Sequence, residues 1–151
     1  MCARRVTGAH RVIRSRHDAV ELSTQRGNRR SHERREKNLG LSTLVRNTTL
    51  MKAAQLHANQ MAALNTMAHE LPGAAYPSPR SRLDAVGYRM RAFGENVAEG
   101  YPSAAAVVAG WMTSPGHRAN IVSTHFTEIG AGVATAKNGR PFYAQVFASP
   151  R

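Results

Sequence analysis

Four side chains in separate segments of this 151-residue chain have the chemistry of a metal or acid–base site. They are two histidines and two glutamates: His69, Glu95, His117 and Glu128. Imidazole and carboxylate groups together can bind a divalent metal such as zinc or act as a hydrogen-bonded general acid and base. The spacing matches no compact metal-binding motif, so each group could equally be a local cap or a surface residue.

His117 follows a sharp break in the sequence, Ser114-Pro115-Gly116, which comes directly after an apolar segment with the chain's only Trp. Proline disfavours helical geometry at the residue before it, so we predict a helix that begins after Ser103 and ends at Ser114. The break then forms a turn that holds His117 at the mouth of a pocket. The neighbouring Arg118 is a candidate partner for Glu95 or Glu128, or a solvated surface residue.

The elements that must position these groups begin with a long helix over 50–64. Its apolar residues recur at helical spacing, and Asn47, Thr48 or Thr49 is suited to cap its start. His57 lies on the apolar stripe, so we predict a partly buried core histidine bonded to a backbone group. Three prolines and a glycine make 71–79 a loop, and a short helix over about 78–86 follows.

The rest of the chain is predicted to form extended segments around the second helical region. Residues 88–98 read as one strand, and 128–136 and 140–148 read as a hairpin joined by Asn138-Gly139, which favours a type I′ turn. Gly130 and Gly132 would let a neighbouring element approach closely. Helices before and between strands, with a hairpin as the clear sheet connection, indicate an α+β fold with an antiparallel sheet.

Charge divides the chain into two parts. The net charge is +12, and residues 1–30 hold eight arginines against two acids. We therefore predict a basic, disordered or loosely helical tail over 1–27 and a folded domain over 28–151, which opens with a helix to Leu39. Such a tail could bind nucleic acid or another anionic polymer or surface.

The sequence contains few features that indicate the cellular compartment of the protein. Cys2 is the single cysteine, so the chain can form no intrachain disulfide. No apolar run approaches the ~20 residues needed to cross a bilayer, and no apolar segment follows the basic start as in a signal peptide. The sequence shows no export signal and leaves a cytoplasmic location open.

Taken together and in order, the motifs resemble a bacterial CAP (SCP-like) domain over about residues 28–147. This superfamily comprises cysteine-rich secretory proteins, antigen 5 and plant pathogenesis-related 1 proteins. The matching pieces are Gly40-Leu41-x-x-Leu44, Ala54-Gln55-x-His57-Ala58-x-x-Met61-Ala62, His69, Gly87-Tyr88-Arg89, Gly94-Glu95-Asn96-Val97-Ala98-x-Gly100, Gly110-Trp111-Met112-x-Ser114-Pro115-Gly116-His117-Arg118-x-Asn120-Ile121, Phe126-Thr127-Glu128-Ile129-Gly130-x-Gly132-Val133 and Gln145-Val146-Phe147.

The resemblance implies a three-layer α-β-α sandwich with a small central antiparallel sheet and a surface cleft. His69 and His117 look like the two cleft histidines of the family, and Glu95 looks like the carboxylate beside them. Some members bind a divalent metal there. Animal and plant members carry a second glutamate where this chain has Ser114, which weakens a metal site; Glu128 is a candidate substitute.

The resemblance also implies a function outside the cytoplasm. We expect a non-enzymatic, extracellular or cell-envelope module whose cleft or helical faces bind a lipid, a glycan or a protein. The alternative is a metal-dependent hydrolase or protease, with His69 and His117 holding zinc and Glu95 as ligand or general base. A second alternative is an anionic-polymer binder that works through the arginine-rich tail.

Overall fold

The computed structural model describes residues 43–151, which form a four-stranded sheet with helices on both faces. In chain order the elements are β1 (Val45–Arg46), α1 (Thr48–Leu64), α2 (Pro79–Ala85), β2 (Met90–Glu99), α3 (Ala104–Thr113), α4 (Pro115–Val122), β3 (Glu128–Thr135) and β4 (Pro141–Pro150). The predicted tail over 1–27 and the predicted helix before Gly40 lie outside the described residues.

The sheet has the strand order β1-β3-β4-β2. The three long strands are antiparallel, as predicted, with β4 paired to both β2 and β3. The two-residue β1 adds a parallel pair to β3 that the sequence pattern did not indicate. Strand β2 therefore lies at one edge of the sheet, with one side of its backbone facing away from the other strands.

Two apolar cores, one on each face of the sheet, confirm the three-layer α-β-α arrangement. Side chains alternate between the faces along a strand, and β4 is buried on both. One core joins α1 and α2 to the sheet through Leu50, Met61, Leu83, Phe142 and Val146. The other joins α3 and α4 through Trp111, Ile121, Ile129, Tyr143 and Phe147.

Glycines in β3 let α1 lie directly on the sheet, as predicted. A Cβ at Gly130 would overlap the carbonyl carbon of Leu50, and one at Gly132 would stand 2.5 Å from Gln55 Cα. Neither position leaves space for a methyl group. Asn47 fixes the start of α1, since its side chain accepts hydrogen bonds from the backbone N–H groups of Thr49 and Leu50.

The predicted turn before His117 is wrong: Ser-Pro-Gly opens a second helix. Ser114 is at once the C-cap of α3 and the N-cap of α4, and Pro115 occupies the first position of α4. Proline is favourable there because its ring presets the helical φ angle and the first turn needs no N–H donor. His117 consequently lies in the first turn of a helix.

The hairpin is present, but its predicted type I′ turn is wrong. A type I′ turn needs positive φ at two successive residues; within residues 43–151 Gly139 has φ +84° and Asn138 does not have a positive φ. The Ala136 N–H donates to the Arg140 carbonyl at 2.9 Å, so three residues form the loop. The additional residue, Lys137, allows a loop that ends in one left-handed glycine.

Candidate functional site

Glu95 is the centre of the candidate site. It lies on the edge strand β2, on the sheet face covered by α1, and its side chain is only 5 % exposed. Nη2 of Arg82 donates to both carboxylate oxygens, at 3.3 and 3.2 Å. His69 Nδ1 lies 2.9 Å from Oε1. Both oxygens of this nearly buried carboxylate are therefore engaged by cationic or titratable partners.

Arg82 ties the loop before α2 to the strand. Its side chain is 1 % exposed, and besides Glu95 it donates to the backbone carbonyls of His69, at 2.7 Å, and of Tyr76 and Pro77, each at 3.3 Å. Burial lowers the pKa of Arg82 from its ordinary value, while the charge of Glu95 opposes that shift. A buried guanidinium is tolerated because a carboxylate and several carbonyls compensate it.

His57 lies behind Glu95 and is fully buried, which corrects the predicted partial burial, while the Ala68 backbone acts on its ring as the predicted backbone contact. Its Nε2 lies 3.5 Å from Glu95 Oε1, and neither ring nitrogen has a hydrogen-bond partner of ordinary geometry within residues 43–151. Burial lowers the pKa of His57 to about 4, although Glu95 acts in the opposite direction. At neutral pH this ring is therefore uncharged.

His69 presents the accessible side of the site. Its side chain is 52 % exposed, and the hydrogen bond to Glu95 raises its pKa above the ordinary value. Because Nδ1 is engaged by the carboxylate, Nε2 is the ring nitrogen that remains for a ligand. The tautomer is set by this contact, as in histidines that a carboxylate orients.

His117 reaches the same region from the opposite side of β2. Its backbone carbonyl accepts a bond from Asn96 Nδ2 at 3.1 Å, which holds the first turn of α4 against the strand. Burial and then the charge of His69 lower the pKa of His117, so the two imidazoles are close enough to interact electrostatically. The structure therefore places His69 against Glu95 and the backbone of His117 beside the neighbouring Asn96, and a shared cleft of His69, Glu95 and His117 stays a prediction.

Side chains of α3 and α4 donate hydrogen bonds to the outer edge of β2. Asn120 donates to the Glu95 carbonyl at 3.1 Å and to Asn96 Oδ1 at 2.9 Å. Trp111 Nε1 donates to the Val97 carbonyl at 3.1 Å, and its ring centre lies 6.4 Å from that of His117. The backbone around Glu95 is therefore fixed on one side by β4 and on the other by side chains of α3 and α4.

Glu128 belongs to a different group of residues. Its carboxylate accepts hydrogen bonds from the Tyr88 hydroxyl at 2.5 Å and from Asn47 Nδ2 at 3.0 Å. Burial and this carboxylate raise the pKa of Tyr88. Two strand spacings, about 10 Å, separate β3 from β2, so the structure does not bring Glu128 to Glu95.

The residues that surround Glu95 do not fit a three-ligand metal site. Within residues 43–151, no group of three or more His, Cys, Asp or Glu side chains is arranged to hold a metal ion. The guanidinium of Arg82 already lies against both Glu95 oxygens, where a cation would be repelled. His69 Nε2 and the His117 ring remain as a candidate pair, so zinc binding, predicted for His69, Glu95 and His117, stays a prediction in which Glu95 orients His69 and is not itself a ligand.

Sequence reasoning missed Arg82 and did not connect His57 with the site. The sequence offers Arg118 as a partner of Glu95, but Arg82 from α2 takes that place. Nothing in the short α2 segment distinguishes Arg82 from its exposed neighbour Arg80. The position of His57 on an otherwise apolar helix face could have indicated its link to the site. A fully buried imidazole is costly unless a polar group lies beside it.

Comparisons with known proteins agree with the fold. The sequence model described as "CAP: Cysteine-rich secretory protein family" matches residues 8–147. The uncharacterized protein YkwD of Bacillus subtilis (strain 168) is 38 % identical over 93 residues, which are 62 % of this chain and 35 % of YkwD. The chain thus spans about a third of the length of this relative.

Two of the solved structures with the same fold come from bacteria. An extracellular protein containing a SCP domain from Bacillus anthracis is similar with a TM-score of 0.64 and 27 % identity, over 75 % of this chain and 36 % of that protein. An outer surface protein from Borrelia burgdorferi has a TM-score of 0.68 over 78 % of this chain and 86 % of that one. Its 24 % identity supports a shared fold.

Proposed function

Since this chain belongs to the CAP, or cysteine-rich secretory protein, family, we propose that it is a non-enzymatic binding module of the cell surface or exterior. Its ligand site is the cleft bordered by His69 and His117. The observation that carries the proposal is the state of Glu95, whose two oxygens are both bonded and whose side chain is 5 % exposed.

A carboxylate that is nearly buried and bonded at both oxygens stabilises the cleft and does not serve as a catalytic base in it. A general base must reach the proton that it removes, directly or through one water molecule. Arg82 and His69 occupy the oxygens of Glu95, and His57 fills the space behind it. The carboxylate instead orients the His69 ring and compensates the buried guanidinium.

The groups left for a ligand are the Nε2 side of His69 and the half-buried His117. Both rings can donate or accept a hydrogen bond, and the cleft is held by bonds along the whole central part of β2. Such a preformed surface suits recognition of a polar group on a lipid, a glycan or a protein. The similar structure from Bacillus anthracis is that of an extracellular protein, which supports an external location.

Binding can be tested with defined envelope materials. The full chain is incubated with peptidoglycan sacculi, with uncharged sterol-containing phosphatidylcholine vesicles, and with casein as a protein and protease substrate. We expect one material to bind without any cleavage and the double variant His69→Ala/His117→Ala to lose that binding. His125→Ala, an exposed histidine elsewhere, is the matched control. Equal binding by both variants, or cleavage of casein, would contradict the proposal.

The metal-dependent hydrolase remains the alternative because Glu95 bonds Nδ1 of His69, the arrangement that commonly orients a metal-binding imidazole. Zinc calorimetry separates the two proposals. The hydrolase requires zinc uptake that His117→Ala abolishes and His125→Ala retains, together with zinc-dependent casein cleavage. If zinc produces the same heat in both variants, the hydrolase is excluded.

Location is tested on intact cells. No helix within residues 43–151 is long and apolar enough to span a membrane. A membrane-impermeant amine reagent should label the protein on whole cells, as it labels a surface protein, while a cytosolic marker stays unlabelled until lysis. Labelling that appears only after lysis would overturn the external location.

A further inference from the structure

Three exposed arginines meet at the end of the sheet where β2 begins and β4 finishes. Arg89 precedes β2, Arg91 lies at the irregularity in its pairing with β4, and Arg151 follows β4. The Arg151 N–H donates to the Arg89 carbonyl at 3.2 Å, which places the two residues side by side. We call Arg89, Arg91, Arg151 and the nearby Phe93 the arginine end.

The three guanidinium groups have no acidic partner in the described part of the chain. The ion-paired arginines there are Arg80, Arg82 and Arg140. Two acids lie on the nearby strands, and both are engaged: Glu95 by Arg82 and His69, and Glu128 by Tyr88 and Asn47. Unpaired positive charge therefore accumulates at this end.

An exposed aromatic ring accompanies the charge. Phe93 is 41 % exposed although it lies within a strand. A soluble polyanion has no apolar region in which the ring could be buried. In a bilayer, the boundary between headgroups and acyl chains can bury an apolar ring while neighbouring arginines bind headgroup phosphates. The combination favours a lipid surface over a soluble polyanion.

The basic N-terminal part of the sequence joins the domain at the same end. Val45 of β1 pairs with Glu128, Glu128 with Ala148 and Ala148 with Phe93, so these four residues form one row across the sheet. Residues 1–42 contain eleven Lys or Arg against four Asp or Glu. Residues 1–42 therefore precede a strand, β1, that starts at the same end of the sheet as the arginine end but at the opposite edge from β2.

We propose that the arginine end docks on a bilayer that contains anionic phospholipid. Arg89, Arg91 and Arg151 contact headgroup phosphates, and Phe93 enters the headgroup–acyl boundary. This surface lies at the start of β2, before Glu95, so it holds that end of the domain at a membrane while His69 and His117 stay accessible. Each arginine near an anionic surface strengthens binding about fivefold.

Vesicle co-sedimentation with the full chain tests the proposal. The lipids are phosphatidylglycerol mixed with phosphatidylcholine, or phosphatidylcholine alone, and soluble polyphosphate serves as a competitor without acyl chains. We expect binding to the mixed vesicles only, weakened about 25-fold by Arg89→Gln/Arg91→Gln. The control Lys52→Gln/Lys137→Gln removes the same charge from two other exposed positions and should bind nearly as wild type.

Phe93→Ser distinguishes the bilayer from a soluble polyanion. It should weaken vesicle binding severalfold and leave polyphosphate binding unchanged, while His69→Ala/His117→Ala should leave both unchanged. Thermal unfolding confirms that each variant is folded. Equal losses in the two charge variants would overturn the proposal, and so would vesicle binding that Phe93→Ser does not alter. Neither result bears on the cleft.

Discussion

The groups around Glu95 differ in charge although they share one carboxylate. Arg82 is a buried cation, His69 is half-exposed with a raised pKa, and His57 is buried with a lowered pKa. Burial explains the opposite behaviour of the two histidines: desolvation dominates for His57, and the direct hydrogen bond dominates for His69. The pair of Glu95 with Arg82 therefore sets the electrostatics of the site.

Removal of the arginine should reveal this dependence. Arg82→Met leaves the Glu95 carboxylate almost without water and without its cation, so we expect a loss of about 3–5 kcal/mol in the free energy of unfolding. Arg80→Met breaks an exposed pair with Asp84 on the same helix and should cost less than about 1 kcal/mol. Urea unfolding measures both variants, and similar losses would show that the buried pair has no special role.

Stability should depend on pH through His57. The unfolded chain takes up a proton near pH 6.5, whereas native His57, with its lowered pKa, does so only at about 4. The unfolded state therefore binds more protons between these values, and stability should fall by about 2–3 kcal/mol as the pH drops from 6.5 to 4. His57→Leu should remove this loss in urea titrations at several pH values.

His69 should change the pH dependence of stability in the opposite direction from His57, because its pKa is raised and not lowered. The two histidines can therefore be compared within one protein. Its raised pKa means that its contribution is complete below pH 6.5 and is lost as the pH rises through its native value. His69→Gln should therefore reduce stability on the acid side and leave the alkaline side unchanged. A His57→Leu variant with the acid sensitivity of wild type would show that another group carries it.

At the scale of elements, the contact of α1 with β3 depends on glycine. A methyl group at Gly130 would overlap the backbone of α1, which cannot move without leaving the sheet. We expect Gly130→Ala to destabilise the fold by at least about 3 kcal/mol, the upper range for overpacking. Gly73→Ala, where nothing lies within 4 Å of the new atom, should change stability by less than about 1 kcal/mol. Thermal and urea unfolding of both variants check the comparison.

Elements that local patterns determine were predictable, and those that depend on distant pairing were not. The apolar stripe and Asn47 cap specify α1, and alternation with Asn138-Gly139 specifies the hairpin. β1 exists only because Val45 and Arg46 pair with residues more than 80 positions later. α4 was missed because a Ser-Pro pair ends one helix and starts another equally well.

The site follows the same division. Motif resemblance identified His69, Glu95 and His117, and the structure places the first two in contact and the third across the strand from them. Arg82 could not be predicted, because its partner is reached only when the loop over 65–78 closes onto β2. The metal preference of such a group cannot be read from residue types when a neighbouring guanidinium changes the charge.

At the scale of the whole molecule, one sheet contributes to both apolar cores. β4 is buried on both faces, so neither core can lose its packing without exposing the other. We expect a single cooperative transition. The fluorescence of Trp111, the only tryptophan, reports unfolding on the α3–α4 side. The far-UV circular dichroism signal comes largely from the long helix α1 and reports unfolding on the other side. Two separate midpoints in urea would contradict this coupling.

The helices α3 and α4 share Ser114 as cap and have no linker between them. Each residue of a helix turns the next by about 100°, and His117 lies three residues after the extended Ser114 that starts α4, so the position of this cap sets the direction of the His117 side chain. One residue more or less at this junction would rotate the imidazole away from the cleft. The loop between α1 and α2 positions His69 in a different way, through the bonds of His69 and Arg82 to Glu95, so the placement of His117 depends on Ser114 and that of His69 on the loop.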